Sequence, residues 1–239
     1  MKDGRLSSLN LIKKLKKLSD PKQAKDYEWF FKTGPGEYGY GDKFLGIRVP
    51  ILKKIAKQFK DLSFSDIRRM LKSDIHEHRF VALKILVLQY KNADDIKRKN
   101  IVNFYLRNTK RINNWDLVDT SAQYILGDYL LSKDKSILYE LAVSKIVWER
   151  RIAIISTAGF IKKGSYKDTL KIAEILLQDE HDLIHKAVGW MLREVGKQSL
   201  KIEVDFLNRY YEIMPRTMLR YAIERFPEKH RRMYLKRKN

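Results

Sequence analysis

The chain has 239 residues, of which 44% are hydrophobic, and this length suits one large domain or two small ones. It contains no cysteine, which excludes disulfides, thiolate zinc sites and thiol nucleophiles. Its 50 lysines and arginines outnumber its 29 aspartates and glutamates, and the formal charge is +21.

Such an excess of positive charge predicts an anionic partner, nucleic acid before a membrane surface. A basic but inert surface and an acidic protein partner are the alternatives. No apolar run approaches the roughly 18 residues of a membrane span, and the N-terminus alternates leucines with lysines as an amphipathic helix does. We therefore expect a soluble, cytoplasmic protein that makes no membrane contact.

Taken in order, nearly the whole chain has the period of amphipathic helices. The segment from Val81 to Leu88 is so densely apolar that its helix should be buried on most sides. Residues 33–42 break the pattern with glycines and a proline, and this predicts an irregular loop. Strand-like alternation between turns is missing, so the sequence predicts an all-α fold.

A weak internal repeat supports a particular all-α architecture. A small alanine recurs within apolar helical segments at separations of 40, 31, 34 and 35 residues: Ala82, Ala122, Ala153, Ala187 and Ala222. This spacing is typical of stacked helix pairs and predicts an α-solenoid of HEAT-like repeats, a single domain over residues 1–239. An ordinary helical bundle with chance alanines is the alternative. Residues 229–239 form a basic C-terminal tail.

The predicted inner helices carry basic and aromatic residues that suit a concave face that binds nucleic acid. Each basic residue is otherwise part of a solvated helix surface. The candidates for contact with nucleic acid are Trp115, Arg150, Arg151, Lys186, Trp190, Arg193 and Lys197.

The segment 113–122 places acids and an indole in this basic chain. Trp115 and Asp119 are four residues apart and share one helix face, whereas Asp116 is turned away from Asp119. Asn113 is placed to cap the helix start. An acid on a polyanion-binding face does not help affinity, so Asp119 is a candidate for chemistry. The alternative is a helix start with a core tryptophan.

Metal and cofactor motifs are weak or missing. There is no phosphate-binding loop and no dinucleotide fingerprint. His76 and His78 are wrongly spaced for one helical metal face, and His181 and His185 lack an indicated third ligand. We expect neither a metal nor a cofactor.

Four sequence blocks resemble the AlkD-like DNA alkylation repair family. They are FLGIRVP at 44–50, NNWDLVD at 113–119 with LGDYL after it, WERRIAII at 148–155 and KAVGWMLREVGK at 186–197. The resemblance implies a helical solenoid with DNA across its concave face. It also implies a monofunctional glycosylase that excises cationic alkylated purines, of the 3-methyladenine and 7-methylguanine type, from duplex DNA in base excision repair.

The resemblance also implies roles for individual residues. The family's catalytic aspartate falls on Asp119, its two tryptophans on Trp115 and Trp190, and its arginine near the lesion on Arg151. The lesion base is expected to stay in the duplex while the protein grips the backbone. A monomer without cofactors is expected to suffice.

A family tyrosine near the start falls on Tyr27, Tyr38 or Tyr40, because the loop at residues 33–42 disturbs the alignment. The competing interpretation of the whole chain is a non-catalytic HEAT-like scaffold that binds DNA through the same basic face. A HEAT-like adaptor for acidic proteins is the third.

Overall fold

The computed structural model describes residues 6–236, and this part of the chain contains helices but no β-strand. One isolated bridge joins Lys43 to Ile75. The prediction of an all-α fold is confirmed. The chain folds as two compact units, the first spanning Met1–Ser121 and the second Ala122–Asn239. The single domain over residues 1–239 stays a prediction.

The first unit is built from seven α-helices in its described part. They are α1 (Ser8–Lys16), α2 (Pro21–Phe30), α3 (Val49–Gln58), α4 (Phe64–Leu71), α5 (His76–Lys91), α6 (Asp95–Leu106) and α7 (Trp115–Asp119). A 3₁₀ turn, Thr109–Arg111, precedes α7. Five of the helices start at a side chain that accepts a hydrogen bond from the first turn: Ser7, Asp20, Ser63, Asp94 and Asn114. Such caps contribute about 0.5–2 kcal/mol each.

Helix α5 lies at the centre of the first unit and packs against α3, α4, α6 and α7. Val81, Leu83, Ile85 and Leu86 are fully buried on it, which confirms the prediction of a helix buried on most sides. The predicted N-terminal amphipathic helix is α1, whose buried leucine Leu11 lies on its inner face. The core of this unit therefore forms around α5.

The irregular loop at residues 33–42 is confirmed as a series of turns. The Gly39 N–H donates to the Lys32 carbonyl at 3.0 Å, so the loop folds back onto the end of α2. A Cβ on Gly39 would lie 2.4 Å from the Phe31 carbonyl oxygen, and only glycine fits there. This fold-back carries Tyr38 towards α7.

The second unit contains eight α-helices in its described part. They are α8 (Ser136–Ala142), α9 (Val147–Ser156), α10 (Ala158–Ile161), α11 (Lys167–Ile175), α12 (Asp182–Gln198), α13 (Leu200–Tyr210), α14 (Arg216–Ala222) and α15 (Glu228–Leu235). A π-helical turn, Gln123–Gly127, opens the unit, and 3₁₀ turns lie at Leu130–Ser132, Leu176–Gln178 and Ile223–Arg225.

Consecutive packing of the predicted inner helices is found in the second unit. Helix α9 packs on α12, and α12 packs on α14. All five alanines of the predicted repeat are fully buried. The last three alanines, Ala153, Ala187 and Ala222, therefore lie on helices that pack on one another, whereas the concave basic face stays a prediction.

Gly189 marks the closest approach of α12 to α14. A Cβ at this position would lie 2.4 Å from the Met218 carbonyl oxygen and 2.5 Å from the Tyr221 Cβ. We expect Gly189→Ala to lower the free energy of unfolding by about 1–3 kcal/mol, the usual cost of overpacking a tight contact. Chemical denaturation measures this loss. Gly34→Ala is the control, because there an added Cβ meets the movable Glu37 side chain; equal losses for the two variants would refute the close packing.

Most of the predicted basic tail is helical. Helix α15 anchors it through Tyr234, which is buried against the rings of Tyr211 and Phe226. The last three residues of the predicted tail, 237–239, lie outside the described part of the chain.

Candidate active site

Helix α7 carries Trp115 and Asp119, the candidate aromatic and acidic residues of the segment 113–122. Asn114, rather than the predicted Asn113, is the cap of this helix: its side-chain oxygen accepts a hydrogen bond from the Trp115 N–H at 2.8 Å. The shift of one residue buries Asn114 completely and leaves Asn113 half-buried. Trp115 and Asp119 are both half-buried at opposite ends of this short helix, one turn apart.

A buried chain of charges fixes the start of α7. His76, the first residue of α5, has its Nε2 2.8 Å from Asp116 Oδ2 and its Nδ1 3.3 Å from Asp42 Oδ2. Arg79, one turn further on, has its Nη2 2.6 Å from Asp42 Oδ1. Asn114 donates to Asp42 Oδ2 at 3.3 Å. The loop, α5 and α7 are therefore joined through polar groups that alternate in charge.

The charged groups at the start of α7 stabilise one another in their ionised forms. Burial disfavours a charged imidazole, but Asp116 and Asp42 outweigh it and raise the pKa of His76 to about 9. Burial likewise opposes ionisation of Asp42, yet His76 and Arg79 hold the pKa of this carboxyl below its ordinary value. His76 is thus an imidazolium between two carboxylates at neutral pH.

Aromatic rings pack beside this chain of charges. Phe31 stacks on Trp115 with centroids 5.2 Å apart and on Phe44 at 5.0 Å. Phe44 stacks on the His76 ring at 4.8 Å. Trp115 also donates from Nε1 to the Tyr38 hydroxyl at 3.2 Å. The indole is therefore held by stacking on one ring and by a hydrogen bond at its edge.

The three candidate tyrosines occupy different environments. Tyr38 contacts Trp115 directly, as described above. Tyr27 packs edge-on against Phe31 and Phe44. Tyr40 is 68% exposed. Of the three, Tyr38 is the one that holds the indole of α7.

Asp119 is the last residue of α7, at the end opposite the cap. Burial raises the pKa of the Tyr105 hydroxyl, and the negative charge of Asp119 raises it further, so the two groups are electrostatic neighbours. Tyr105 lies 3.0 Å from the Ser121 hydroxyl, and Ser121 donates to the Leu117 carbonyl at 2.6 Å. These contacts tie the end of α7 to α6.

Trp190 and the two candidate lysines lie on α12 of the second unit. Trp190 is half-buried, and its Nε1 donates to Glu194 Oε1 at 3.0 Å. Lys197 contacts the same oxygen at 2.6 Å. Lys186 pairs with Asp182 at 2.7 Å, one helical turn away. Both lysine side chains are about 40% exposed, at 38% and 40%, so solvent and ligands reach them.

The three candidate arginines of this unit are more buried than the two lysines, and each is bound to a partner within the protein. Arg150 places Nε 2.5 Å from Asp179 Oδ2 and also donates to the Ser144 carbonyl. Arg151 is buried and donates from Nη1 to the Leu183 carbonyl at 2.6 Å. Arg193 forms an ion pair with Glu224. A phosphate contact by these side chains would have to compete with partners that the fold already supplies.

His181 and His185 make hydrogen bonds at the start of α12. The Nδ1 of His181 accepts a hydrogen bond from the Leu183 N–H at 3.1 Å and so caps the helix. His185 Nε2 contacts the Asp179 carbonyl. Among residues 6–236, no group of three or more His, Asp or Glu side chains is placed to hold a metal ion. No helix in that same range is long and apolar enough to cross a membrane.

Asp42, His76 and Arg79 are parts of the candidate site that no sequence pattern predicts. In the sequence, His76 is only a histidine whose spacing from His78 does not suit a metal site, and Asp42 is only the end of a loop. The contacts of His76 with Asp42 and Asp116 span 34 and 40 residues of the chain, so no local pattern could have joined these groups.

The raised pKa of His76 predicts a pH dependence. A group whose pKa is higher in the folded state stabilises fully below its unfolded value near 6.5 and loses its contribution as the pH rises through about 9. We expect the melting temperature to fall over this window in the wild type and to fall less in His76→Gln. Thermal denaturation across the pH series measures it. Parallel curves for the two proteins would show that His76 is not charged in the folded state.

The described part of the chain is all-helical, and the helices of its second unit pack consecutively, as in helical-repeat proteins. Comparison with known families identifies the family within this class. A family model described as DNA alkylation repair enzyme matches residues 11–226. The chain therefore belongs to the DNA alkylation repair enzyme family. Comparison with curated proteins gives no significant match.

Solved structures share the fold at low sequence identity. A predicted DNA alkylation repair enzyme from Enterococcus faecalis is similar with a TM-score of 0.70 and 16% identity, over 88% of this chain and 97% of that one. AlkD2 from Streptococcus mutans is similar with a TM-score of 0.53 and 16% identity, over 93% of this chain and 100% of that one. The predicted resemblance to AlkD-like proteins is confirmed.

Proposed function

We propose that the protein is a monofunctional DNA glycosylase that excises cationic alkylated purines, of the 3-methyladenine and 7-methylguanine type, from duplex DNA. The observation that carries the proposal is that Trp115 and Asp119 lie one turn apart on one short helix, in a member of a DNA alkylation repair family. The formal charge of +21 supports binding to the DNA backbone.

The main requirement that this reaction places on the protein is a negative charge held next to the sugar. Alkylation makes the purine cationic, so the glycosidic bond breaks with its electron pair going to the base, which leaves neutral. Positive charge then develops on the sugar at C1′. The Asp119 carboxylate stabilises that charge and orients the water that adds to C1′, whose proton is lost to solvent. No covalent enzyme intermediate and no lyase step are required.

The remaining candidate residues have supporting roles in this proposal. Trp115 holds the sugar of the lesion nucleotide and favours a cation by about 0.5–2 kcal/mol. In the second unit, Trp190 and Arg151 contact the lesion strand. Lys186 and Lys197, with their exposed ammonium groups, neutralise phosphates, and Arg150 and Arg193 add to this basic surface. We further propose that the protein acts as a cytoplasmic monomer.

The test is strand cleavage at abasic sites. A duplex with one 7-methylguanine is incubated with the protein, and abasic sites are then converted to breaks with alkali. We expect breaks at the lesion and none in the same duplex carrying guanine. Salt-sensitive binding to both duplexes without any breaks would overturn the proposal and leave the non-catalytic DNA-binding scaffold.

A further inference from the structure

The second unit contains a groove that none of the proposed site residues lines. It lies between α11 and α13, which both pack on α12, and its volume is about 500 Å³. Residues between Tyr166 and Glu174 form one wall, and residues between Ile202 and Tyr210 form the other. A groove of this size can take several side chains of a partner molecule.

The lining of the groove is apolar along its length. Leu170 from α11 and Ile202 from α13 line it and are half-buried. Phe206 lies one helical turn after Ile202, and its ring contacts that of Tyr210 with centroids 4.8 Å apart. Ile202, Phe206 and Tyr210 are spaced by four residues, so they form one stripe of α13. Apolar and aromatic side chains that stay accessible in this way are typical of interaction surfaces.

Three cations line the groove beside these apolar residues: Lys167, Lys171 and Arg209. All three are exposed, and within residues 6–236 none of them forms an ion pair. The Arg209 guanidinium lies over the Tyr210 ring, 5.9 Å from its centroid, which restrains a side chain that is otherwise flexible. The groove therefore combines an apolar lining with unpaired positive charge.

Two carboxylates also line the groove, and one of them is already neutralised. Asp205 pairs with Lys201 at 2.6 Å, whereas Glu174 makes no ion pair in the described part of the chain. Three unpaired positive charges thus stand against one unpaired negative charge, and this balance favours an acidic partner. A continuous phosphate backbone suits the groove less, because a carboxylate from each wall would lie beside its phosphates.

The dimensions of the groove match a short helix. Helix α11 has nine residues and α13 has eleven, so the walls are about 14 and 16 Å long. Apolar side chains at positions i, i+4 and i+7 of a bound helix span about 10 Å, and three such anchors fit along these walls.

We propose that the groove between α11 and α13 docks an acidic amphipathic helix of a partner protein. The apolar face of that helix packs on Leu170, Ile202 and Phe206, and its carboxylates pair with Lys171 and Arg209. The inference goes beyond the proposed function, in which these residues have no part.

The first experiment compares two fluorescein-labelled peptides of about 18 residues that share one composition of leucine, glutamate and alanine. One places its leucines on a single helix face, and the other has the same residues in scrambled order. Fluorescence anisotropy is measured at about 0.15 M salt, where screening limits non-specific attraction to a basic protein. The amphipathic peptide is expected to bind about tenfold more tightly, because only it can bury its leucines together. Equal binding of the two peptides would overturn the proposal.

Matched variants then locate the binding. Lys171→Glu is expected to weaken the amphipathic peptide about fivefold, whereas Lys99→Glu, an equal charge reversal at an exposed position of α6, should change little. Ile202→Ala should also weaken it about fivefold, and Ile96→Ala, at a position 77% exposed on α6, should not. Circular dichroism verifies that each variant is folded. Equal effects of the groove variants and their controls would contradict the assignment.

Other occupants of the groove have their own signatures. A dimer in sedimentation velocity that Lys171→Glu dissociates would assign the groove to a second copy of the chain and overturn the proposal. Weaker binding of a single-stranded oligonucleotide to Lys171→Glu than to Lys99→Glu, without peptide binding, would assign it to nucleic acid and overturn it likewise. Excision of 7-methylguanine should be equal in the wild type and Lys171→Glu, so the peptide result and the glycosylase result stand or fall separately.

Discussion

Replacing Asp119 by asparagine is expected to lower the rate of 7-methylguanine excision by about 10²–10³-fold, the usual effect of removing one group that stabilises charge in a transition state. The substitution keeps the shape of the side chain and removes its negative charge. Binding to undamaged duplex DNA should stay the same or become tighter, because one source of repulsion from phosphates is gone. Single-turnover kinetics and equilibrium binding measure the two effects separately.

A charge-matched control is available in the same unit. Asp61 is exposed just before α4, and Asp61→Asn should leave the excision rate unchanged. If Asp119→Asn cleaves as fast as the wild type, the carboxylate that acts on the sugar lies elsewhere. Asp116 would be the next residue to test, since it also lies on α7. A loss of DNA binding in Asp119→Asn would instead show that the substitution disturbs the fold.

The second large effect concerns stability. Arg79→Leu is expected to lower the free energy of unfolding by about 3–5 kcal/mol, because it leaves the buried Asp42 carboxylate without its arginine. The ion pair has an N–O distance of 2.6 Å and side chains that are 3% and 5% exposed. Denaturation in urea gives the change, and excision assays on the folded variant report the effect on α7.

Lys201→Leu is the matched control for that prediction. Its ion pair with Asp205 has the same 2.6 Å distance, but the two side chains are 84% and 57% exposed. Solvent screens such a pair, and its loss should cost less than about 1 kcal/mol. Equal losses for Arg79→Leu and Lys201→Leu would mean that the buried chain of charges does not hold the first unit together.

Local patterns in the sequence predict the helices and part of their packing. The period of apolar residues identifies α5 as a central helix, and the recurring alanines mark the contacts of α9, α12 and α14. Trp115 and Asp119 can be placed together because a separation of four residues fixes their relation on any helix. These features depend on residues that are close together in the sequence, so they can be predicted from one sequence alone.

Features that depend on distant pairs are not predictable in the same way. The contacts of His76 with Asp42 and Asp116 cross 34 and 40 residues of sequence. The ion pair of Arg193 with Glu224 likewise joins α12 to the 3₁₀ turn after α14. From the sequence alone, Arg193 would be taken for an unpaired cation. A hydrogen bond or ion pair joins only two residues, which can be far apart in the sequence. Such a contact leaves no periodic pattern from which the partner of a polar side chain could be predicted.

The most direct test of the account is the release of free base. A duplex with a single 7-methylguanine is incubated with the wild type, with Asp119→Asn and without protein, and the released base is quantified by mass spectrometry. We expect the wild type to release free 7-methylguanine well above the spontaneous loss, and Asp119→Asn to release it near the spontaneous rate. Release by the wild type no faster than in the protein-free sample would contradict it.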